Sequence, residues 1–206
     1  SHILNTHHHV DHTEANLQLK EQWECTIVGA TNDAERIPGI DIQVANNEEF
    51  LFGAIEAKVL EVPGHTSGHI AFYFAAEGIA FVGDTLFALG CGRLFEGTPS
   101  MMWTSLQKLM TLPNETLVYC GHEYTQANAK FALTIEPANE QLKARSDEIN
   151  VLRANNLPTV PTTIGLERAT NPFVRPENKN IQATIGLQGA DALTVFSEIR
   201  RLKDNF

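Results

Sequence analysis

The sequence predicts an α/β fold followed by a smaller, mostly helical region, and three observations carry that reading. Short apolar runs of strand length, bounded by Gly, Pro and Asn, recur between Ile3 and Gly121. Several of these runs are followed within a few residues by His or Asp, as in α/β sheets whose sites lie at strand ends. Beyond residue 124 the apolar spacing becomes helical, with Pro137 and Pro158 as breakers. The boundary is therefore placed at 123, giving an α/β region over 1–123 and a helical region over 124–206.

Taken in order, Ile3-Leu4-Asn5 reads as the end of an apolar strand, and 13–23 as a helix in which Leu17 and Leu19 are apolar and Glu14, Lys20 and Glu21 polar. Thr26-Ile27-Val28-Gly29 is a short strand, and Pro38-Gly39-Ile40 a turn. Phe50-Leu51-Phe52-Gly53 leads into 55–62, where apolar and polar residues alternate as in a half-buried strand. Pro63-Gly64 ends that strand, and segments 69–74 and 78–83 read as a strand pair. Residues 100–110 are helical, with Met101, Met102, Leu106, Leu109 and Met110 as a core stripe. A last buried strand covers 116–121. Helices are expected over 125–136, 139–155 and 191–203, the third carrying Leu193, Phe196, Ile199 and Leu202 on one face. The chain opens Ser1-His2-Ile3-Leu4 without an initiator Met. A buried parallel strand needs neighbours on both sides, so further strands are expected to precede Ser1 in the natural chain.

The chain has 206 residues, 43% of them hydrophobic, enough for one substantial core or two modest ones. A net charge of −10 argues against nucleic acid or an anionic membrane as the main partner. No apolar run reaches the roughly 18 residues of a transmembrane helix, and no signal-peptide pattern is seen. Cys25, Cys91 and Cys120 are odd in number and widely spaced, which reads as reduced thiols packed in the core. A cytoplasmic monomer is the expectation.

The chemistry concentrates in Thr6-His7-His8-His9-Val10-Asp11-His12. In an extended chain residues two apart point the same way, so His7, His9 and Asp11 converge, and His12 enters where a helix begins. Imidazoles with a carboxylate suit zinc, iron and similar metals. The bland alternatives are a chance His-rich loop or an affinity tag, but a tag is a terminal homopolymer and this run contains Asp11. Further along, His65, Asp84 and His122 each follow a glycine just beyond an apolar strand, where Gly permits close approach. These seven donors suit two divalent ions. His7, His9 and His65 would hold one, Asp11, His12 and His122 the other, and Asp84 would be shared. Zinc is the first expectation, with iron and manganese accepted by the same donors. Paired ions about 3.5–4 Å apart trap a bridging hydroxide and polarise a carbonyl or phosphoryl oxygen. That points to hydrolysis, with Asp11 and Asp84 as the catalytic carboxylates. No serine or cysteine has a base motif beside it. His2 and His8 read as bystanders, and His69 as a support behind the ligands.

The opening run, Pro63-Gly64-His65-Thr66-Ser67-Gly68-His69, Gly83-Asp84-Thr85-Leu86-Phe87 and Cys120-Gly121-His122-Glu123-Tyr124-Thr125 resemble the metallo-β-lactamase superfamily. The run 90–98, Asn171-Pro172-Phe173-Val174-Arg175 and Arg200-Arg201-Leu202-Lys203 narrow the resemblance to the hydroxyacylglutathione hydrolase, or glyoxalase II, family. The resemblance implies an αββα metallo-β-lactamase sandwich, lacking its first strands here, and a helical substrate-binding domain. It implies hydrolysis of S-D-lactoylglutathione and related 2-hydroxyacylglutathiones, a step of methylglyoxal detoxification. Glutathione would be held by Arg93, Tyr124, Arg200 and Lys203. Arg93 stands where some members have Lys, preserving charge but changing geometry, and Phe95 where some have Tyr. By spacing alone Arg200 and Lys203 would be a solvated helix end, where cations are favourable anyway, and Arg201 keeps that reading. Two other readings compete with it. One is a glutathione-persulfide dioxygenase of the same superfamily, holding one iron and lacking the long helical region. The other is a metal-binding fragment without activity.

Overall fold

The computed structural model describes residues 1–206. Strand β1 (His2–Leu4) leads to a single helical turn, α1 (Val10–Thr13), and then to α2 (Asn16–Trp23). β2 (Thr26–Ala30) and β3 (Ile42–Val44) complete a parallel three-stranded sheet in the order β1-β2-β3. β4 (Glu49–Phe52), β5 (Ile55–Glu61), β6 (Ile70–Phe74) and β7 (Ile79–Gly83) follow as an antiparallel meander. A short hairpin of β8 (Leu86–Phe87) and β9 (Gly90–Cys91) precedes α3 (Pro99–Leu109), which Thr98 caps and Pro99 starts. β10 (Leu117–Cys120) lies parallel to β7. After it come α4 (Thr125–Ile135), α5 (Glu140–Ala154), β11 (Thr162–Thr163), α6 (Ile164–Thr170), α7 (Lys179–Thr184) and α8 (Ala192–Asp204). The second sheet has the order β11-β10-β7-β6-β5-β4.

Alternation along the strands sorts the core into layers. Ile70, Phe72 and Phe74 of β6 join Ala57 and Val59 of β5 in packing against Val28, Ala30 and Val44 of the first sheet. Ala71, Ala80, Val82 and Val118 face the other way, onto Met102, Leu106 and Leu109 of α3 and Val195, Phe196 and Ile199 of α8. The layers are thus helix, sheet, sheet, helix, as the resemblance implies. Helices α3 and α8 share one apolar cluster with Phe131 of α4, so residues after 123 are packed on the sheet rather than tethered to it. No helix is long and apolar enough to cross a membrane.

The structure differs from the sequence reading in places. The helix expected over 13–23 is broken at Glu14-Ala15. The cause lies in polar side chains: Thr13 Oγ1 donates to the carbonyls of His8 and His9, and Asn5 Nδ2 to that of His12. Asn16 Nδ2 in turn donates to Asn5 Oδ1 at 2.8 Å. Such local bonds compete with the helical ladder. The two-residue strands and short helices β8, β9, β11, α6 and α7 were not expected, because elements this short carry no period.

A buried polar knot joins the helical region to the β8–β9 hairpin. Glu167, fully buried, accepts from Arg145 Nη2 (2.6 Å), Thr162 Oγ1 (2.6 Å), Asn171 Nδ2 (2.9 Å) and the Leu89 amide (2.9 Å). Leu89 sits at φ 59°, a strained left-handed turn. Glu167→Ala would leave the Arg145 guanidinium buried without its anion. The expected loss is about 3–5 kcal/mol of unfolding free energy, measured by urea titration; a loss below about 1 kcal/mol would show that the knot is not holding the region.

Candidate metal centre

Strands β5 and β7 both run antiparallel to β6, and β10 runs parallel to β7. Their C-terminal ends therefore leave the same edge of the sheet, carrying His65, Asp84 and His122. β1, from the facing sheet, delivers residues 7–12 to that edge. The extended-chain alternation covers only His7 and His9. Asp11 and His12 stand on the helical turn α1, so Asp11 reaches the cluster by helix geometry. That corrects the reading of an extended chain through Asp11.

The structure brings all seven residues together. His9 Nδ1 is 3.1 Å from His7 Nε2 and 3.1 Å from His65 Nε2. Asp84 Oδ1 is 3.5 Å from His12 Nε2, and its Oδ2 is 3.5 Å from His65 Nε2 and 3.3 Å from His122 Nε2. Asp11 Oδ2 lies 3.3 Å from His122 Nε2 and 3.7 Å from His12 Nε2. Donor atoms gather as His7/His9/His65, His7/His12/Asp84 and Asp11/His12/His122.

Most of these separations are long for hydrogen bonds. They suit atoms around a common ion, since tetrahedral ligands at about 2.0–2.1 Å from a metal lie roughly 3.3–3.4 Å from one another. Two of the atoms, His12 Nε2 and Asp84 Oδ1, are buried without any hydrogen-bond partner, which is costly unless a further group satisfies them. Burial, and then the neighbouring imidazoles, push His7 far below the usual histidine range; burial also lowers His9 and His65. Neutral imidazole is the form that binds metal. Burial works against the Asp84 carboxylate, but His12, His122 and His65 outweigh it and hold its pKa below the ordinary value. The donors thus fit a divalent metal.

Behind them, His69 is fully buried and stacks on His7 at 4.5 Å. Its Nε2 accepts from the Asp84 amide at 3.1 Å, which leaves the proton on Nδ1, facing Thr85 Oγ1 at 3.3 Å. Burial lowers its pKa to about 3, so it stays neutral and holds the Asp84 backbone. Glycines make room for this crowding. Gly83 adopts φ 49°, and a Cβ there would come within 2.8 Å of the His69 ring. A Cβ on Gly121 would meet Asp84 Oδ1 at 2.5 Å and His12 Cε1 at 2.6 Å.

A cavity of about 500 Å³ opens from the cluster, lined by His9, Asp11, His65, Asp84 and His122 at one end and by Arg93, Tyr124, Arg200 and Lys203 elsewhere. Arg93 is exposed, and Tyr124 stacks on His122 at 4.8 Å. Arg200 is neither a solvated helix end nor a free cation: it is buried, donates to the Cys91 carbonyl (2.9 Å) and Asp204 Oδ1 (2.8 Å), and leaves its Nε unpartnered. Arg201 stays at the surface, paired with Glu198. Asp204 also lines the cavity and escaped the sequence reading; its i,i+4 spacing from Arg200 was the available signal. His2 lies away from the cluster, against Phe50 and Phe52. His8 points away from the donors but is no bystander, since Asp33 Oδ2 takes its Nδ1 at 3.1 Å.

This arrangement matches known proteins along the whole chain. Residues 1–122 match the family model of the metallo-β-lactamase superfamily, and residues 123–206 that of the hydroxyacylglutathione hydrolase C-terminus. A hydroxyacylglutathione hydrolase of Methylococcus capsulatus is 56% identical over 205 residues, covering 100% of this chain and 80% of the relative. One of Rhizobium etli is 55% identical, again covering 100% of this chain and 80% of the relative. Among solved structures, ETHE1 from Myxococcus xanthus superposes with a TM-score of 0.67 at 28% identity, covering 98% of this chain and 68% of that one. TTHA1623 in a di-iron-bound form gives 0.57 at 28% identity, covering 82% and 75%. The sandwich and its edge cluster are therefore of the metallo-β-lactamase type. The chain belongs to the hydroxyacylglutathione hydrolase (glyoxalase II) family.

Gly121→Ala is expected to keep the fold but lose most bound metal, because the new methyl displaces Asp84 and His12. Metal content by mass spectrometry, read beside far-ultraviolet circular dichroism, tests this; full metal loading would refute the crowding argument.

Proposed function

We propose that this protein is a binuclear metal thioesterase that hydrolyses S-D-lactoylglutathione and related 2-hydroxyacylglutathiones to the 2-hydroxy acid and glutathione. The observation that carries the reading is one cavity joining a metal-type donor cluster to three cationic side chains and a tyrosine. His7, His9 and His65 would hold one ion, Asp11, His12 and His122 the other, with Asp84 facing both groups of donors. The nitrogen-rich donor set favours zinc and also accepts iron or manganese. Two such ions would supply Lewis acidity and activated water for attack on the thioester carbonyl.

The chain's own residues do the rest. The leaving group is a thiolate, good enough to depart before it is protonated, so no side chain is needed as a general acid. Glutathione carries two carboxylates, and the cavity offers Arg93, Arg200 and Lys203 to receive them. Burial lowers the Lys203 pKa, and Arg200 beside it lowers it further. Asp204, bonded to Arg200, offsets part of that repulsion, and a substrate carboxylate at Lys203 would relieve the rest. Arg200, fixed by Cys91 and Asp204, is a preorganised donor rather than a mobile one. Tyr124, stacked on His122, spans the donor cluster and the binding wall.

Metal analysis with an S-D-lactoylglutathione assay on the purified protein tests the whole reading. Oxygen consumption with a persulfide and no thioesterase activity would overturn it. Asp84→Ala should lose metal and activity together, and a fully loaded, fully active variant would refute its shared role. Lys203→Ala should raise KM about tenfold with kcat nearly unchanged; a fall in kcat alone would remove Lys203 from glutathione binding. Lys203 is the cleaner probe, because truncating Arg200 also breaks two buried contacts.

A further inference from the structure

Behind the metal-type donors, side chains with no part in the chemistry above tie four loops together. Asp33 closes the 3-10 turn Thr31–Asp33 after β2, and its side chain is wholly buried. Its Oδ1 takes the Arg36 guanidinium and its Oδ2 takes His8. Gly68 backs onto Asp33 so closely that a Cβ there would overlap the carboxylate. Arg36 reaches on to Glu96 in a two-pronged pairing, Nη1 to Oε1 at 2.6 Å and Nη2 to Oε2 at 3.3 Å. Glu96 Oε2 also accepts from the Ser67 amide (2.7 Å) and hydroxyl (2.8 Å). Burial opposes its charge, yet Arg36 and Ser67 together bring its pKa down to about 2.

Glu96 belongs to the segment 93–97, which folds over His65. The His65 ring donates through Nδ1 to the Arg93 carbonyl at 2.8 Å. The Phe95 and Gly97 amides donate to the carbonyls of His65 (3.3 Å) and Gly64 (3.1 Å). On its cavity side the segment carries Arg93 over the Phe95 ring at 5.3 Å, and Phe95 edge-on to His65 at 5.2 Å. An Arg–Glu pair exposed by about a third contributes little when isolated. Asp33 changes that. Its buried charge demands a cation, so one side of the Arg36 guanidinium is fixed, and the other side is held in place for Glu96.

We propose that the Asp33–Arg36–Glu96 chain is a positioning device. It fixes segment 93–97 so that Arg93 and Phe95 form a rigid wall at the mouth of the cavity, where the glutathione part of the substrate enters. None of the three residues lines the cavity. The consequence for the substrate rests on the thioesterase reading; the anchoring of the segment does not.

The test uses Glu96→Gln, Arg36→Gln and the double variant in metal-loaded protein. Hydrogen exchange is followed by mass spectrometry alongside steady-state kinetics with S-D-lactoylglutathione. Each single variant should raise KM about tenfold while kcat stays within about twofold and metal content holds. The double variant should be no worse than either single one, because both break the same link. Exchange in 93–97 should quicken at least about tenfold, with the melting temperature little changed in Glu96→Gln and lowered in Arg36→Gln, which also strips the buried Asp33 of its cation. Unaltered exchange in both singles, or effects that simply add in the double variant, would overturn the proposal. If the unmodified protein hydrolyses no glutathione thioester, the functional reading falls, while exchange in 93–97 still decides whether the segment is anchored.

Discussion

The Asp84 carboxylate is the point on which the structure turns. It is buried among His12, His65 and His122, each 3.3–3.5 Å away. One of its oxygens has no hydrogen-bond partner. So crowded a set of donors holds together only if the surrounding frame is rigid or a cation sits among them. The frame meets the first condition and leaves room for the second. The Asp84 amide is pinned by a neutral, fully buried His69, and β7 and β10, whose ends carry Asp84 and His122, stay paired as far as Gly83 and Cys120, with a register shift between Tyr119 and Cys120. Gly83 and Gly121 remove the side chains that would fill the space.

From that constraint the remaining architecture follows. Two sheets packed face to face place β1 opposite the ends of β5, β7 and β10, so donors from both sheets meet at one edge. Helix α8 lies across the outer face of the second sheet, through Val195, Phe196 and Ile199. It is this packing that brings Arg200 and Lys203, remote in sequence, over the β8–β9 hairpin. The buried Glu167–Arg145 pair fixes the same hairpin from the other side. The proposed binding wall and the metal-type donors thus belong to one packed body, which suits a thioesterase whose substrate must be held at its peptide end while it reacts at its acyl end.

The network through Asp33, Arg36 and Glu96 extends the same logic outward. A buried carboxylate orients a guanidinium, the guanidinium orients a second carboxylate, and the second carboxylate holds a segment that touches His65. Charge placed beneath the surface gives a partly exposed ion pair a structural role it would lack by itself.

The sequence determined much of this. Alternation over 55–62 and the apolar runs at 69–74, 78–83 and 116–121 are local properties, so the strands were legible from them. The seven candidate donors were identifiable because His7, His9, Asp11 and His12 crowd into one short run, while His65, Asp84 and His122 each follow a Gly at a strand end. Other features were not legible. The break at Glu14-Ala15 depends on Asn5 bonding to the His12 carbonyl, a contact made by folding. The burial of Arg200 depends on a carbonyl more than a hundred residues earlier in the chain. His8, Asp33, Arg36 and Glu96 carry no shared spacing, and only the docking of four loops makes them neighbours. Local pattern fixes which residues are strands and which are donors; which charges meet is decided by packing, because Coulomb and hydrogen-bond partners are chosen by distance in space and leave no period in the chain.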